Sequence, residues 1–318
     1  MSLAPLSLGV EFFLFLLRVF GLTLALMLTV SQKKTRINSI LLIFLLTLLL
    51  HSLSMYWQWY SGWDITYRVQ INGSERLSGS VFNPNPFGLF MSLAVVLAGY
   101  FALISQGTPR YINLIFIVLF SVSLYKSESR GAILGLLVAL FTVTLSLPYS
   151  RTWRWLLITT KLVAAGIAVW GFSLHVQRPG SDDVRWSALQ HGYQRSLESP
   201  WIGCGWQCTE ASAIVQGADG VHNVFLDIAL LVGWPVALIF CASLTWLFYK
   251  TRLTRDALTN ALRAMLALLL AAGLFDYSVL TSKMYLGAFI CLVSLFWLSA
   301  FRNENRFNHL LVSAEGSH

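Results

Sequence analysis

Long apolar runs alternate with short polar connections over most of the chain. A helix needs about 20 apolar residues to cross the hydrocarbon core of a bilayer. On that criterion the runs near 8–30, 38–59, 84–105, 111–126, 131–148, 156–174, 222–248, 263–280 and 285–301 read as spans, with boundaries soft by a few residues. The pattern predicts an all-α polytopic membrane protein of about nine transmembrane helices. Residues 1–318 read as a single membrane domain, with a long polar loop at 175–221 inserted between spans and a polar tail at 302–318. Inside the loop, residues 182–197 place Trp186, Leu189, Tyr193 and Leu197 at helical spacing on one stripe. That stripe predicts an amphipathic helix lying at the membrane surface. The first apolar run lacks a basic segment before it and exceeds the length of a signal-peptide core, so it reads as a retained helix.

Composition places the chain in a bilayer: 56% of residues are hydrophobic and 11% charged, against roughly 25% charged in an ordinary soluble domain. The net charge of +8 would suggest nucleic acid in a soluble protein. Here the excess is spread over connections between spans: Lys33, Lys34 and Arg36, then Arg110, then Arg151 and Arg154, then Lys250, Arg252 and Arg255, then Arg302 and Arg306. These fall on alternate sides of the span count, hence on one face, which the positive-inside rule makes cytoplasmic. No nucleic-acid partner is expected. The amino terminus is predicted outside and the carboxy terminus inside. The loops 60–83, 126–130, 175–221 and 281–284 then share the outer face.

Four cysteines divide the same way. Cys241 and Cys291 lie in apolar runs and read as small buried hydrophobes. Cys204 and Cys208 share the polar loop, where an oxidising exterior would permit a disulfide. Without further ligands at zinc spacing they predict no metal site. Gly203-Cys204-Gly205 lacks the preceding strand and third glycine of a phosphate loop and reads as a flexible turn.

The polar residues that need a reason gather on the outer face. Asn83-Pro84-Asn85-Pro86 opens a span, either as a helix cap with proline in the first turn or as a substrate contact. In Lys126-Ser127-Glu128-Ser129-Arg130-Gly131, Arg130 either snorkels to the interface or is held inside the bundle by the close packing that Gly131, Ala132 and Gly135 allow. A guanidinium fork held there suits two phosphate oxygens at once. Arg185 and Arg195 lie on the amphipathic helix; Arg195 reads as its polar face, Arg185 as the better candidate for chemistry. His222-Asn223 opens the 222–248 run. A lone histidine there is a cap or interface residue, or a general base, since imidazole titrates near neutrality. Asp227 and Asp276 fall inside predicted spans, where an ionisable group is costly; each orients a base or arginine, or forms a structural ion pair. Trp57, Trp59 and Trp63 fit an aromatic belt.

The order of these features resembles the O-antigen ligase and O-antigen polymerase superfamily of bacterial envelope glycosyltransferases, over about residues 80 to 240. The features are the Pro-Asn element from Asn83 to Gly88, the Ser129-Arg130-Gly131 turn, Arg185 and Trp186 followed by Pro200, Gly203 and Gly205, then His222-Asn223 with Leu226 and Gly233. The resemblance implies a fold of the membrane-embedded glycosyltransferase C type in a bacterial inner membrane, with its active site on the periplasmic face and no cofactor. It implies transfer of a glycan from an undecaprenyl-pyrophosphate carrier to an acceptor hydroxyl, on lipid A-core for a ligase or on another repeat unit for a polymerase. Arg130 and Arg185 would hold the pyrophosphate and His222 would activate the acceptor. Beside what the resemblance implies, Asn83, Asn223, Asp227 and Asp276 are read as supporting candidates. Larger members carry more spans than are counted here, which predicts fewer amino-terminal helices. Displacing a pyrophosphate needs a base and positive charge for the leaving oxygens, and no acid. A glycosidase would need two carboxylates flanking the bond, and the adjacent Asp182 and Asp183 do not supply that geometry. A lipid-linked sugar transporter, in which the arginines only attract the pyrophosphate, is the alternative of another class.

Overall fold

Apolar runs bounded by caps and prolines give helices. A computed structural model of the chain describes residues 34–63, 76–81, 83–146, 166, 181–205, 221–252, 254, 256–274 and 287–299. Helices α1 (Lys34–Ser61), α2 (Pro84–Ile104) and α3 (Thr108–Ser127) contain stretches long and apolar enough to cross a membrane. The shorter apolar helices are α4 (Arg130–Ser146), α8 (Ala257–Gly273) and α9 (Gly287–Ser299). Between them come α5 (Ser181–Glu198), α6 (Val224–Val232) and α7 (Trp234–Thr251). The described residues are thus helical with turns and contain no strand ladder. The spans expected at 8–30 and 156–174, the loop at 281–284 and the tail at 302–318 lie outside them, apart from residue 166.

The centre of the bundle is set by which helices are apolar on every side. In α2, 83% of the membrane-length window is buried inside the protein, against 28% in α1 and 17% in α3. A helix hydrophobic all round belongs in a core, and α2 packs on α1, α3, α4 and α8. Small residues set how closely. A Cβ at Gly88 would stand 2.5 Å from Ser127 Oγ, and one at Gly135 would stand 2.8 Å from the Leu268 carbonyl. Hydrogen bonds tie the spans at depth: Ser92 Oγ donates to Ala132 O at 3.0 Å, Ser52 and Ser123 hydroxyls pair at 2.7 Å, and Tyr56 OH donates to Leu119 O at 3.0 Å.

Short connections make α2, α3 and α4 alternate in direction, and α7 and α8 likewise. One end of the bundle therefore collects the starts of α1 and α3 and the end of α7, bringing Lys34, Arg36, Arg110, Lys250 and Arg252 together as the charge pattern requires. At that end the buried Arg263 reaches from α8 to α7, donating to Thr251 O at 2.7 Å and to Asn260 Oδ1 at 2.8 Å. The opposite end holds the start of α2, the α3–α4 turn, the start of α6 and the end of α8.

One expected span is corrected. The run 222–248 is two helices, α6 and α7, broken at Gly233, whose φ of 91° and ψ of 162° only glycine adopts readily. Pro235 follows at once, in the first turn of α7, where its missing N–H costs nothing. The break is occupied by the turn after α5. Trp234 N donates to Pro200 O and Cys204 N donates to Leu230 O, both at 2.8 Å. These bonds satisfy the backbone groups that a broken helix exposes. Hydrophobicity runs unbroken through Gly233 because the break is buried by protein, so periodicity alone gives no sign of it.

Candidate functional site

The α3–α4 turn is built by serines. Ser127 Oγ donates to Leu124 O at 2.6 Å and accepts from Ser129 N at 3.3 Å, while Ser129 Oγ accepts from Ala132 N at 3.4 Å as the cap of α4. Glu128 between them takes the left-handed conformation, φ 50°. The result presents Arg130 as the first residue of α4, half-buried, with no acidic residue in that first turn. A cation at a helix start opposes the macrodipole, whereas an anion beside both would satisfy the N–H groups and the guanidinium together.

The two asparagines of the Pro-Asn element separate in role. Asn83 caps α2, its Oδ1 accepting from Asn85 N at 2.9 Å, which is the helix-start reading of that motif. Asn85 Oδ1 accepts from Arg76 Nη2, and Arg76 Nε donates to Ser127 O at 2.7 Å. Arg76 thus joins the start of α2 to the turn carrying Arg130. No local signal in the sequence marks it, because an arginine in a loop carries none of what it will meet. Residues 76–81 also lie down on α1: Gln58 Oε1 accepts from Ser78 N and Gly79 N at 3.0 and 2.9 Å, and His51 Nδ1 pairs with Ser80 Oγ.

At the start of α6, Asn223 is the cap, its Oδ1 accepting from Phe225 N and Leu226 N at 3.1 Å. That removes the capping role from His222, which instead sits half-buried in the left-handed conformation, φ 56°. Asn223 Nδ2 donates to Leu274 O at 3.3 Å, fastening this segment to the end of α8. Helix α8 in turn packs along α4, and Val224 shares one apolar core with Ala132. His222 and Arg130 are therefore presented at the same end by elements linked through α8. Asp227 is fully buried in the first turn of α6; Asp276 lies outside the described residues.

The amphipathic helix forms as expected, as α5, but it docks by a different face. The stripe buried against protein is Ala188, Gly192 and Ser196, and a Cβ at Gly192 would meet Val221 Cγ1 at 2.7 Å. Small residues permit that approach, whereas Trp186, Tyr193 and Leu197 stay half exposed and only Leu189 packs inward. Trp234 Nε1 donates to Ser196 Oγ at 3.2 Å and its ring meets Tyr193 edge-on at 6.4 Å. Arg185 rides on α5 about two turns before the Gly192 contact, half-buried. Arg195 pairs with Glu198 at 2.6 Å on the exposed side, the polar-face role expected of it. Between α5, α6 and α7 opens a cavity of about 350 Å³, walled by Trp186, Leu189, Tyr193, Phe225, Leu226 and Trp234, with Gln190 and Asn223 as polar members. Cys204 is disulfide-bonded, and Cys241 and Cys291 are free and half-buried; Cys208 lies outside the described residues.

No curated protein matches this chain. Residues 115–241 match the family described as O-antigen ligase, an interval that runs from within α3 to within α7 and holds Arg130, Arg185 and His222.

Proposed function

We propose that this protein is an O-antigen ligase-like glycosyltransferase of the bacterial inner membrane, moving a glycan from undecaprenyl pyrophosphate to a lipid A-core sugar on the periplasmic face. The observation that carries the reading is the O-antigen ligase match over the interval whose helix starts present Arg130 and the His222-Asn223 pair at one end of the bundle. The acceptor hydroxyl oxygen attacks the anomeric carbon and its proton passes to the His222 imidazole. The carbon–oxygen bond to the diphosphate breaks, and the leaving oxygens keep the electron pair. Arg130, Arg185 and the N–H groups at the start of α4 balance that charge, which is electrostatic stabilisation without an acid. Direct displacement inverts the anomeric centre. No metal is required by this scheme, so a chelator should leave the rate unchanged.

The five basic positions gathered at the opposite end support a cytoplasmic location for that end, and hence a periplasmic one for the site. The test is glycan transfer by purified protein from a lipid-linked donor, with His222→Ala, Arg130→Ala and Arg185→Ala compared. Wild-type-like transfer by His222→Ala sinks the base assignment. Donor binding with no transfer by the wild type favours a transporter. Loss of the gene should remove all O-antigen from lipid A and leave carrier-linked polymer; retention of a single repeat unit would mark a polymerase instead.

A further inference from the structure

We infer that Arg76 is a positioning residue for Arg130, locking the α3–α4 turn against the start of α2 so that Arg130 is held ready for an anionic ligand. The inference rests on the functional reading above for the nature of that ligand, a polyprenyl pyrophosphate.

Arg76 stands in a segment fixed from several sides. Leu77 N donates to Lys126 O at 3.2 Å, Gln58 receives two backbone N–H groups, and Gly79 fits only because its Cβ is missing, since one would lie 2.8 Å from His51 O at a φ of 58°. From that base Arg76 Nε donates to Ser127 O at 2.7 Å, while Nη2 donates to Asn85 Oδ1. A basic side chain that merely closed α3 would need only the first bond, since it caps a terminal carbonyl and complements the dipole. The second bond reaches another helix. It joins the start of α2, through Asn85, to the end of α3, through Ser127, three residues before Arg130 opens α4. The other face of the turn is fixed by Gly88, where a Cβ would stand 2.6 Å from Ser129 Cβ, and by Lys126, whose ammonium lies 4.1 Å from the Trp59 ring centroid. Between these anchors Ser129 is fully buried, while Glu128 and Arg130 on either side of it are half-buried. A planar fork is what the tie requires, because one ammonium serves two acceptors on different helices poorly.

The experiment uses the full-length protein in detergent. In Arg76→Ala, trypsin should cut after Lys126 and Arg130 several times faster than in the wild type. The KM for a lipid-linked glycan donor should rise on the order of tenfold with a smaller change in kcat, within the range known for misplaced binding groups. In an Arg130→Ala background the same substitution should add little, because the residue it positions is gone. Asn85→Ala, which removes one anchor of the tie, should show the same pattern more weakly if Arg76→Ala does not fold. Arg76→Lys should behave like Arg76→Ala. Unchanged cleavage, or losses in Arg76→Ala and Arg130→Ala that simply add, overturns the proposal. If the wild type neither binds undecaprenyl pyrophosphate nor transfers glycan, the functional reading fails, and the cleavage rates still decide the tie.

Discussion

At the scale of single residues, the site depends on groups whose placement is costly. His222 takes a left-handed backbone although it is not glycine, because Asn223 next to it holds three bonds that require the turn. Such a conformation costs of order 1–3 kcal/mol and is kept where surrounding structure over-determines it. If the imidazole is the base, His222→Ala should lower kcat by about 10²–10⁴-fold with donor binding retained. Pull-down of the labelled lipid donor checks the second half. Arg130→Lys keeps the charge and loses the fork, so its effect should approach that of Arg130→Ala, measured as kcat/KM for the donor. The candidates His222, Arg130, Arg185, Asn83 and Asn223 were legible because each stands at a helix start, in an ordered motif or on an amphipathic stripe. Arg76 was not, because its meaning comes from Asn85 and Ser127, which the chain brings to it across two helices.

At the scale of elements, the joint between α5, α6 and α7 decides where Arg185 and His222 stand relative to each other. The joint consists of two glycines set against each other's backbone. A Cβ at Gly233 would lie 2.4 Å from Trp201 O, and one at Gly203 would lie 2.6 Å from Leu230 O. Gly233→Ala also meets a conformation that alanine rarely adopts. It should destabilise the protein by roughly 1–3 kcal/mol and lower transfer, while Gly205→Ala, strained by its φ of 78° but with open space around its Cβ position, should do less. Melting in detergent with a parallel transfer assay separates the two. The sequence showed α5 as amphipathic, and its helix formed, but the face that docks could not be read from hydrophobicity. Close packing was won by Ala188, Gly192 and Ser196, whose small side chains allow approach, and the aromatic stripe was left to line the cavity.

At the scale of the whole molecule, the two ends differ in charge and in what they hold. The basic end carries the buried Arg263, which satisfies the Thr251 carbonyl at the end of α7 from within α8. Arg263→Met should cost about 1–3 kcal/mol through the acceptors left behind, with the site end and donor KM little changed. A drop in melting temperature at constant KM is the expected result. The orientation is checked by labelling intact cells with a membrane-impermeant maleimide. A cysteine at the exposed Gln190 should react, and one at the exposed Arg110 should react only after permeabilisation.

The sequence by itself determined the bilayer as solvent, the helical class and the basic face, since these follow from hydrophobic run length, charge parity and local capping chemistry, and it holds the stretch 115–241 that matches the O-antigen ligase family. Only the tertiary structure decided that one apolar run is two helices clasped at Gly233, that α5 docks by its small residues, and that Arg76 ties Asn85 to the turn of Arg130. Each of these depends on contacts between segments far apart in the chain, where steric fit and the satisfaction of buried backbone groups outweigh any local preference.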